Sequence, residues 1–180
     1  MKLFVSGFFT AISVLIAVGL AVIYSGAYNV AADKDHTIVE KWVLSTAMIK
    51  SVKAHADHEM PPPDLSDDDR IREGFRLFGE MCVQCHGAPG KKPGEVGLGL
   101  RPQPPSLSEA AGRWNTAQLL WIVRHGIKAT GMPAFGGTHT DEQLWSIVAF
   151  LQKLPDLSPE KYKTFDQGSG LRHEQRDHKH

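Results

Sequence analysis

The sequence is poor in cysteine and has no excess of charge of either sign. Among its 180 residues are two cysteines, and 20 Lys and Arg balance 20 Asp and Glu. A neutral chain has no basic field for nucleic acid, so no nucleic-acid partner is expected. There is no second pair of cysteines to complete a four-ligand structural zinc site. The sequence also lacks the βαβ pattern in which a Cys-x-x-Cys redox dithiol is usually found.

The two cysteines lie close together and are followed directly by a histidine, in Cys82-Val83-Gln84-Cys85-His86. Cys-x-x-Cys-His is the signature of covalent attachment of a c-type haem. The spacing lets both sulfurs reach one edge of a porphyrin and form thioethers, while the adjacent imidazole becomes the proximal ligand of the iron. We therefore expect one haem c bound through Cys82, Cys85 and His86. The alternatives are a redox dithiol, half of a zinc site, and a structural disulfide, which would not require His86.

Met132 is the best candidate for the sixth ligand of the iron. Gly131 before it permits unusual backbone angles and Pro133 after it fixes the local backbone, so the loop can present a thioether rigidly. His125 and His139 flank this loop and are the rival ligands. A His/Met pair fills both axial positions and raises the reduction potential, which favours electron transfer over oxygen or peroxide chemistry. We therefore expect neither enzymatic activity nor a small-molecule substrate.

The N-terminal region lacks charge over a long stretch. Residues 3–28 contain no Asp, Glu, Lys or Arg, and about 20 apolar residues suffice to cross a bilayer as a helix. We assign residues 1–32 to a single transmembrane anchor. The alternative is a cleaved signal peptide, whose apolar region is usually about 7–15 residues long. Lys2 favours an N-terminus inside the cytoplasm, which would place the rest of the chain outside it.

Residues 33–65 are interpreted as a juxtamembrane segment. A helix is predicted over residues 33–59, because apolar residues recur there at helical spacing with lysines between them. It would pack on the following domain or on lipid headgroups, or else present Trp42 to a membrane partner. The segment also holds alternative ligands for a metal or a second haem: His36, His55 and His58. The prolines after Met60 end the helix and make a semi-rigid spacer.

Residues 66–155 form the predicted haem domain, which is all-α. Ser66 and the acidic residues after it favour the start of a helix that runs into the Cys82 motif. A close helix crossing would explain Gly74 in the middle of that helix, where glycine costs about 1 kcal/mol against alanine. Two further helices, each preceded by a capping side chain, are predicted at residues 116–125 and 141–153.

The stretch from 87 to 107 is rich in glycine and proline, and no regular element fits it. A long ordered loop in a compact domain usually has a function, and here it would wrap one edge of the haem. Its basic residues are expected in solvent, with haem propionates or an acidic partner as the alternative: Lys91, Lys92 and Arg101.

Residues 156–180 are interpreted as a polar, histidine-rich tail. From Gln167 onward the composition is too polar to bury a core, which predicts disorder. A metal-binding tail is the alternative, with the candidate ligands His173, His178 and His180.

The helix leading into Cys-x-x-Cys-His, the methionine loop and the last helix together resemble a class I cytochrome c. The Gly-Met-Pro-Ala-Phe-Gly loop is similar to those of bacterial cytochromes related to the c-type subunits of cbb3 oxidases, and the similarity covers residues 66–155. It implies an all-α fold around one haem c, with His86 and Met132 as axial ligands. In that fold the first and last helices cross near a glycine, for which Gly74 is the candidate.

The stretch after the anchor, residues 28–32 with His36, is similar to that of many membrane-anchored bacterial monohaem cytochromes. The resemblance implies an inner-membrane protein with one span and its haem domain in the periplasm. It would shuttle single electrons between respiratory redox partners. One alternative is a fixed cytochrome subunit of a larger oxidase or dehydrogenase complex. The other is a haem-based enzyme or gas sensor, which needs an open or weakly held sixth position.

Overall fold

The structure, a computed structural model, describes residues 2–60 and 62–168, and the regular secondary structure of these residues is helical. The all-α prediction is thus confirmed. In chain order the helices are α1 (Lys2–Ser25), α2 (Ile38–His55), α3 (Asp68–Met81), α4 (Val83–His86), α5 (Glu95–Gly99), α6 (Leu107–Ala110), α7 (Thr116–His125), α8 (Asp141–Lys153) and α9 (Pro159–Gly168). The chain divides between Lys34 and Asp35 into two compact units. The three histidines of the predicted tail lie outside the described residues.

Helix α1 belongs to the N-terminal unit. Its stretch Phe4–Ser25 is long and apolar enough to cross a membrane, and none of it is buried. A signal sequence near an N-terminus would have the same length and composition. The helix ends where Gly26 takes a positive φ of 68°, which is a usual way to terminate a helix.

Helix α2 begins later than the sequence predicted. The Thr37 hydroxyl accepts a hydrogen bond from the Glu40 N–H, and the Glu40 carboxylate accepts one from the Thr37 N–H. This capping box starts the helix at Ile38 rather than near residue 33. The first half of α2 is exposed, whereas its end packs against α7 through the buried residues Val52 and Ala56.

The crossing of α3 with α8 organises the core. A Cβ atom at Gly74 would collide with the Ser146 carbonyl oxygen and lie 2.9 Å from Phe150 Cβ. The close crossing predicted at Gly74 is therefore confirmed. Asp67 rather than Ser66 caps α3, since its Oδ1 accepts a hydrogen bond from Arg70 N at 2.7 Å. The core side chains around this crossing include Phe75, Phe78, Leu144, Trp145, Ile147 and Phe150.

Helices α7 and α8 occupy the predicted positions. Asn115 caps α7 and Thr140 caps α8, and each forms a reciprocal capping box with the glutamine three residues later. These boxes satisfy N–H groups that a helix start otherwise leaves unpaired. Gly126 ends α7 with φ 64°, which directs the chain into the loop that carries Met132.

Beyond residue 155 the structure differs from the sequence interpretation. Helix α9 occupies the start of the stretch interpreted as a polar tail, and Tyr162 on it is 2% exposed. The rings of Tyr162 and Phe165 lie 5.3 and 5.0 Å from the ring of Phe75. Two aromatic residues three positions apart give this polar stretch one apolar face, which its average composition conceals. The packed domain therefore continues past residue 155.

Candidate haem site

The cysteine motif forms one tight turn at the end of α3. The Cys82 carbonyl accepts hydrogen bonds from Cys85 N at 3.1 Å and from His86 N at 2.9 Å. Both cysteines are free and half-buried. Burial raises the pKa of the Cys82 thiol to about 12, with a smaller contribution from Cys85. Redox dithiols depend on a lowered thiol pKa, so this environment argues against the redox alternative.

The His86 ring is held by a residue from a distant part of the loop. Its Nδ1–H donates to the Pro105 carbonyl over 2.8 Å, across 19 positions of sequence. Burial lowers the pKa of His86, and the hydrogen bond to Pro105 opposes this in part. The Nδ1–H is thus engaged by the carbonyl, which leaves Nε2 as the ring nitrogen that carries no proton when the imidazole is neutral. A second hydrogen bond of this kind is how proteins usually orient a metal-binding histidine. Nothing in the sequence singled out Pro105 among the prolines of the loop.

The loop that follows the motif folds back against it. A Cβ atom at Gly97 would lie 2.6 Å from the Cys85 carbonyl oxygen, so only glycine allows this approach. Gly94 N donates to the Gln84 carbonyl at 2.9 Å. Gly94 directly precedes α5 and Gly97 lies within it, although no regular element was predicted there. Gly94 and Gly97 therefore allow the loop to approach the cysteine turn closely, rather than making the loop flexible.

The methionine loop runs between α7 and α8. Met132 is half-buried, its carbonyl accepts from Ile127 N at 3.3 Å, and its N–H donates to Thr130 Oγ1 at 3.1 Å. A Cβ atom at Gly126 would lie 2.7 Å from the Met132 carbonyl oxygen. The loop is thus closed on itself around Met132 by main-chain and hydroxyl contacts.

Leu100 joins the methionine loop to the region of the cysteine turn. A Cβ atom at Gly131 would lie 2.5 Å from Leu100 Cδ2, and Leu100 directly follows α5. The rival ligands have other partners. His125 Nε2 lies 3.5 Å from Glu59 Oε1, and His139 Nδ1 lies 2.9 Å from the Thr138 hydroxyl. The structure therefore brings Gly131, next to Met132, against the chain directly after α5.

Two of the three basic residues of the loop have partners within the chain. Arg101 donates to the carbonyls of Leu98 and Leu100 at 3.0 and 2.8 Å, and its Nε lies 3.4 Å from the Asp35 carboxylate. Lys91 lies over the Tyr162 ring at 5.5 Å, while Lys92 is exposed.

The histidines of residues 33–65 do not form a metal-binding cluster among the described residues. Within residues 2–60 and 62–168, no group of three or more His, Cys, Asp or Glu side chains is arranged to hold a metal ion. His55 instead stacks on Trp121 with ring centroids 5.9 Å apart, and Trp121 stacks in turn on His125 at 5.1 Å. Trp121 thus joins α2 to α7.

The residues present fit a covalently bound haem c. Two thiols and an imidazole lie on one turn, and the imidazole is oriented by its Nδ1–H. The glycines behind Cys85 leave no room for side chains, so the loop backs directly on the turn. Met132 lies in a closed loop that contacts the chain directly after α5 through Gly131 and Leu100.

Comparison with known proteins agrees with this arrangement. Residues 69–151 match the family described as cytochrome C oxidase, cbb3-type, subunit III. The chain is 32% identical over 87 residues to dihydro-heme d1 dehydrogenase of Pseudomonas aeruginosa, an alignment that covers 48% of this chain and 16% of that protein. It is 28% identical over 92 residues to cytochrome c6 of Thermosynechococcus vestitus, covering 51% of this chain and 75% of that protein.

The match lies on the helices that carry the cysteine turn and the methionine loop, and the fold is that of a class I cytochrome c. A covalently bound haem c follows from the match together with the Cys-x-x-Cys-His motif. Residues 69–151 are therefore a c-type cytochrome domain, similar to those of cbb3 oxidase subunits, and the chemistry of such a domain is electron transfer.

Proposed function

We propose that this protein is a membrane-anchored monohaem cytochrome whose haem domain faces the periplasm and passes single electrons between respiratory partners. The supporting observation is the His86 ring, held by the Pro105 carbonyl beside two free cysteines. In this proposal Cys82 and Cys85 hold the haem, and His86 is the proximal ligand. Met132 is the distal ligand.

The bound haem supplies a one-electron iron couple. His86 and Met132 would hold the iron from fixed positions, so that little rearrangement would accompany a change of oxidation state. His86 is oriented by Pro105, and the Met132 loop is closed by its own hydrogen bonds. Val96 and Leu98 on α5 are 58% and 51% exposed beside the cysteine turn, which offers a redox partner an apolar contact.

Replacement of the distal donor tests this proposal. We expect Met132→Ala to lose the far-red sulfur-to-iron absorption band of the oxidised protein, and its reduced form to bind carbon monoxide rapidly. Met60→Ala is the matched control, because Met60 is 42% exposed and lies in the linker before the haem domain. If Met132→Ala keeps the wild-type spectrum, the ligand is His125 or His139, or the sixth position is open. An enzyme or gas sensor would then be favoured.

The location is tested by fractionation of cells that express the full chain. Since Phe4–Ser25 is apolar and unburied, we expect haem-containing protein in the membrane fraction with its N-terminus intact. Deletion of residues 1–32, with a cleavable signal in their place, is expected to release a soluble haem protein. If expression of the full chain gives a soluble protein that has lost its N-terminal residues, the assignment of residues 1–32 as an anchor is wrong.

A fixed subunit of a larger complex is the second candidate function. It is favoured by the first half of α2, where Ile38, Val39 and Trp42 are 87%, 69% and 67% exposed. Exposed apolar surface of this kind usually meets a partner or a membrane. Purification in mild detergent separates the two functions, because a fixed subunit brings a stoichiometric partner with it and a free shuttle does not.

A further inference from the structure

The segment between the anchor and the haem domain takes part in the packing of that domain. Val52 is fully buried and Ala56 is 1% exposed, where the end of α2 and the following turn meet α7. The α2 side of this contact lies outside residues 69–151, the region matched by the cytochrome family, whereas α7 lies within it. The segment is therefore an addition to the cytochrome domain, and its contact surface is the helix that leads into the methionine loop.

A buried carboxylate sits at the end of this contact. The Glu59 side chain is 9% exposed, and its Oε2 lies 3.2 Å from Arg124 Nε. Its Oε1 lies 3.5 Å from His125 Nε2. Arg124 also donates from Nη1 to the Asp141 carboxylate at 2.6 Å, at the first residue of α8. The guanidinium thus joins the linker, the end of α7 and the start of α8.

Arg124 is also the support on which the end of the methionine loop rests. Gly136 N donates to the Arg124 carbonyl at 2.9 Å, and a Cβ atom at Gly136 would lie 2.8 Å from Arg124 Cγ. One residue earlier, Phe135 N donates to the Val123 carbonyl at 3.2 Å. A shift of the Arg124 side chain therefore moves the surface against which residues 135–136 pack.

We propose that Glu59 is a positioning residue for Met132, acting through Arg124; this rests on the proposed role of Met132 as distal ligand. The Glu59 carboxylate holds the Arg124 side chain against the methionine loop. It also compensates the positive charge of the guanidinium, which is largely closed to water. When a partner of a buried pair is removed, the remaining charge turns toward water or draws water in. The Arg124 stem then leaves Gly136, and the loop opens more often.

The test uses the full-length haem protein and measures how fast cyanide displaces the distal donor from the oxidised iron. This exchange requires the methionine loop to open, so its rate reports the opening equilibrium. For Glu59→Gln we expect displacement about tenfold faster than in the wild type, because the loop then opens more often. We also expect a weaker far-red sulfur-to-iron band. Asp57→Asn is the matched control, since Asp57 is exposed in the same turn and loses the same charge.

Glu59→Asp keeps the charge but shortens the side chain, and we expect an intermediate rate. This variant also carries the test if Glu59→Gln does not fold. A change in thermal stability without a change in displacement rate would assign Glu59 a structural role and overturn the proposal. If the wild type shows the sulfur-to-iron band and both Glu59 variants are displaced by cyanide at the wild-type rate, only the proposed role of Glu59 is wrong. If the wild type lacks the band, Met132 is not the ligand and both proposals are overturned.

Discussion

Substitution of Gly74 by alanine tests the contact on which the core depends. The added methyl group would overlap the Ser146 carbonyl oxygen and approach Phe150 Cβ to 2.9 Å. Neither neighbour can rotate away, because one is main chain and the other is the first side-chain atom of a fully buried residue. Helices α3 and α8 must therefore separate along their crossing.

The magnitude follows from two opposing terms. Overpacking of a core costs about 1–3 kcal/mol, and backbone contact places this site at the upper end, at about 3 kcal/mol. Alanine stabilises a helix interior by about 1 kcal/mol relative to glycine. We therefore expect a net loss of about 2 kcal/mol in the free energy of unfolding. For a chain of this size that corresponds to a fall in Tm of about 4–8 °C.

Urea titration of the haem protein, followed by circular dichroism, measures this loss. The matched control is Gly112→Ala, since no atom lies within 4 Å of a Cβ built at Gly112. The control is expected to match the wild type. A Gly74→Ala protein with the wild-type midpoint and slope would refute the close crossing. A changed slope would instead point to an altered unfolded or native ensemble rather than to a simple loss of stability.

Three further predictions concern the loops, the last helix and acid. Gly131→Val is expected to weaken the sulfur-to-iron band, because its Cβ would press on Leu100; an unchanged spectrum would contradict this contact. Tyr162→Ala is expected to cost about 3–4 kcal/mol of unfolding free energy in a urea titration, since the ring is buried against Phe75; a cost below about 1 kcal/mol would place α9 outside the core. Burial lowers the pKa of His86 from 6.5. In the folded haem protein, the iron and the Pro105 carbonyl would occupy both ring nitrogens of His86. An unfolded chain that has released the iron binds a proton below about pH 6.5, so stability is expected to fall as the pH drops through that range. Titrations at several pH values check this, and a stability that rises on acidification would contradict it.

Much of the fold was predictable because its signals are local. Asn115, Thr140 and Gly126 mark helix ends through hydrogen bonds and backbone angles that span four residues or fewer, so the sequence shows them directly. Gly74 was predictable for a different reason, since a glycine inside an apolar helix has few explanations other than a close crossing. The cysteine turn was the strongest signal, because its chemistry requires its spacing.

The missed features depend on contacts between distant residues. Pro105 is one of several prolines in its loop, and only the folded chain shows which carbonyl meets the His86 ring. Glu59 is one acidic residue in a charged linker, and its burial follows from the docking of α2 on α7. Helix α9 was missed because two aromatic residues in a polar stretch predict a core contact only once a partner surface is known.

The acceptor of the His86 hydrogen bond has an electronic consequence. A carboxylate in this position would draw the Nδ1 proton toward itself, give the ring imidazolate character and push electron density onto the iron. A main-chain carbonyl, as at Pro105, is a weaker acceptor and leaves the ring a neutral, moderate donor. With Met132 as the proposed second ligand, a moderate donor would favour the reduced metal. A carbonyl in place of a carboxylate would thus bias the protein toward accepting an electron rather than giving one away.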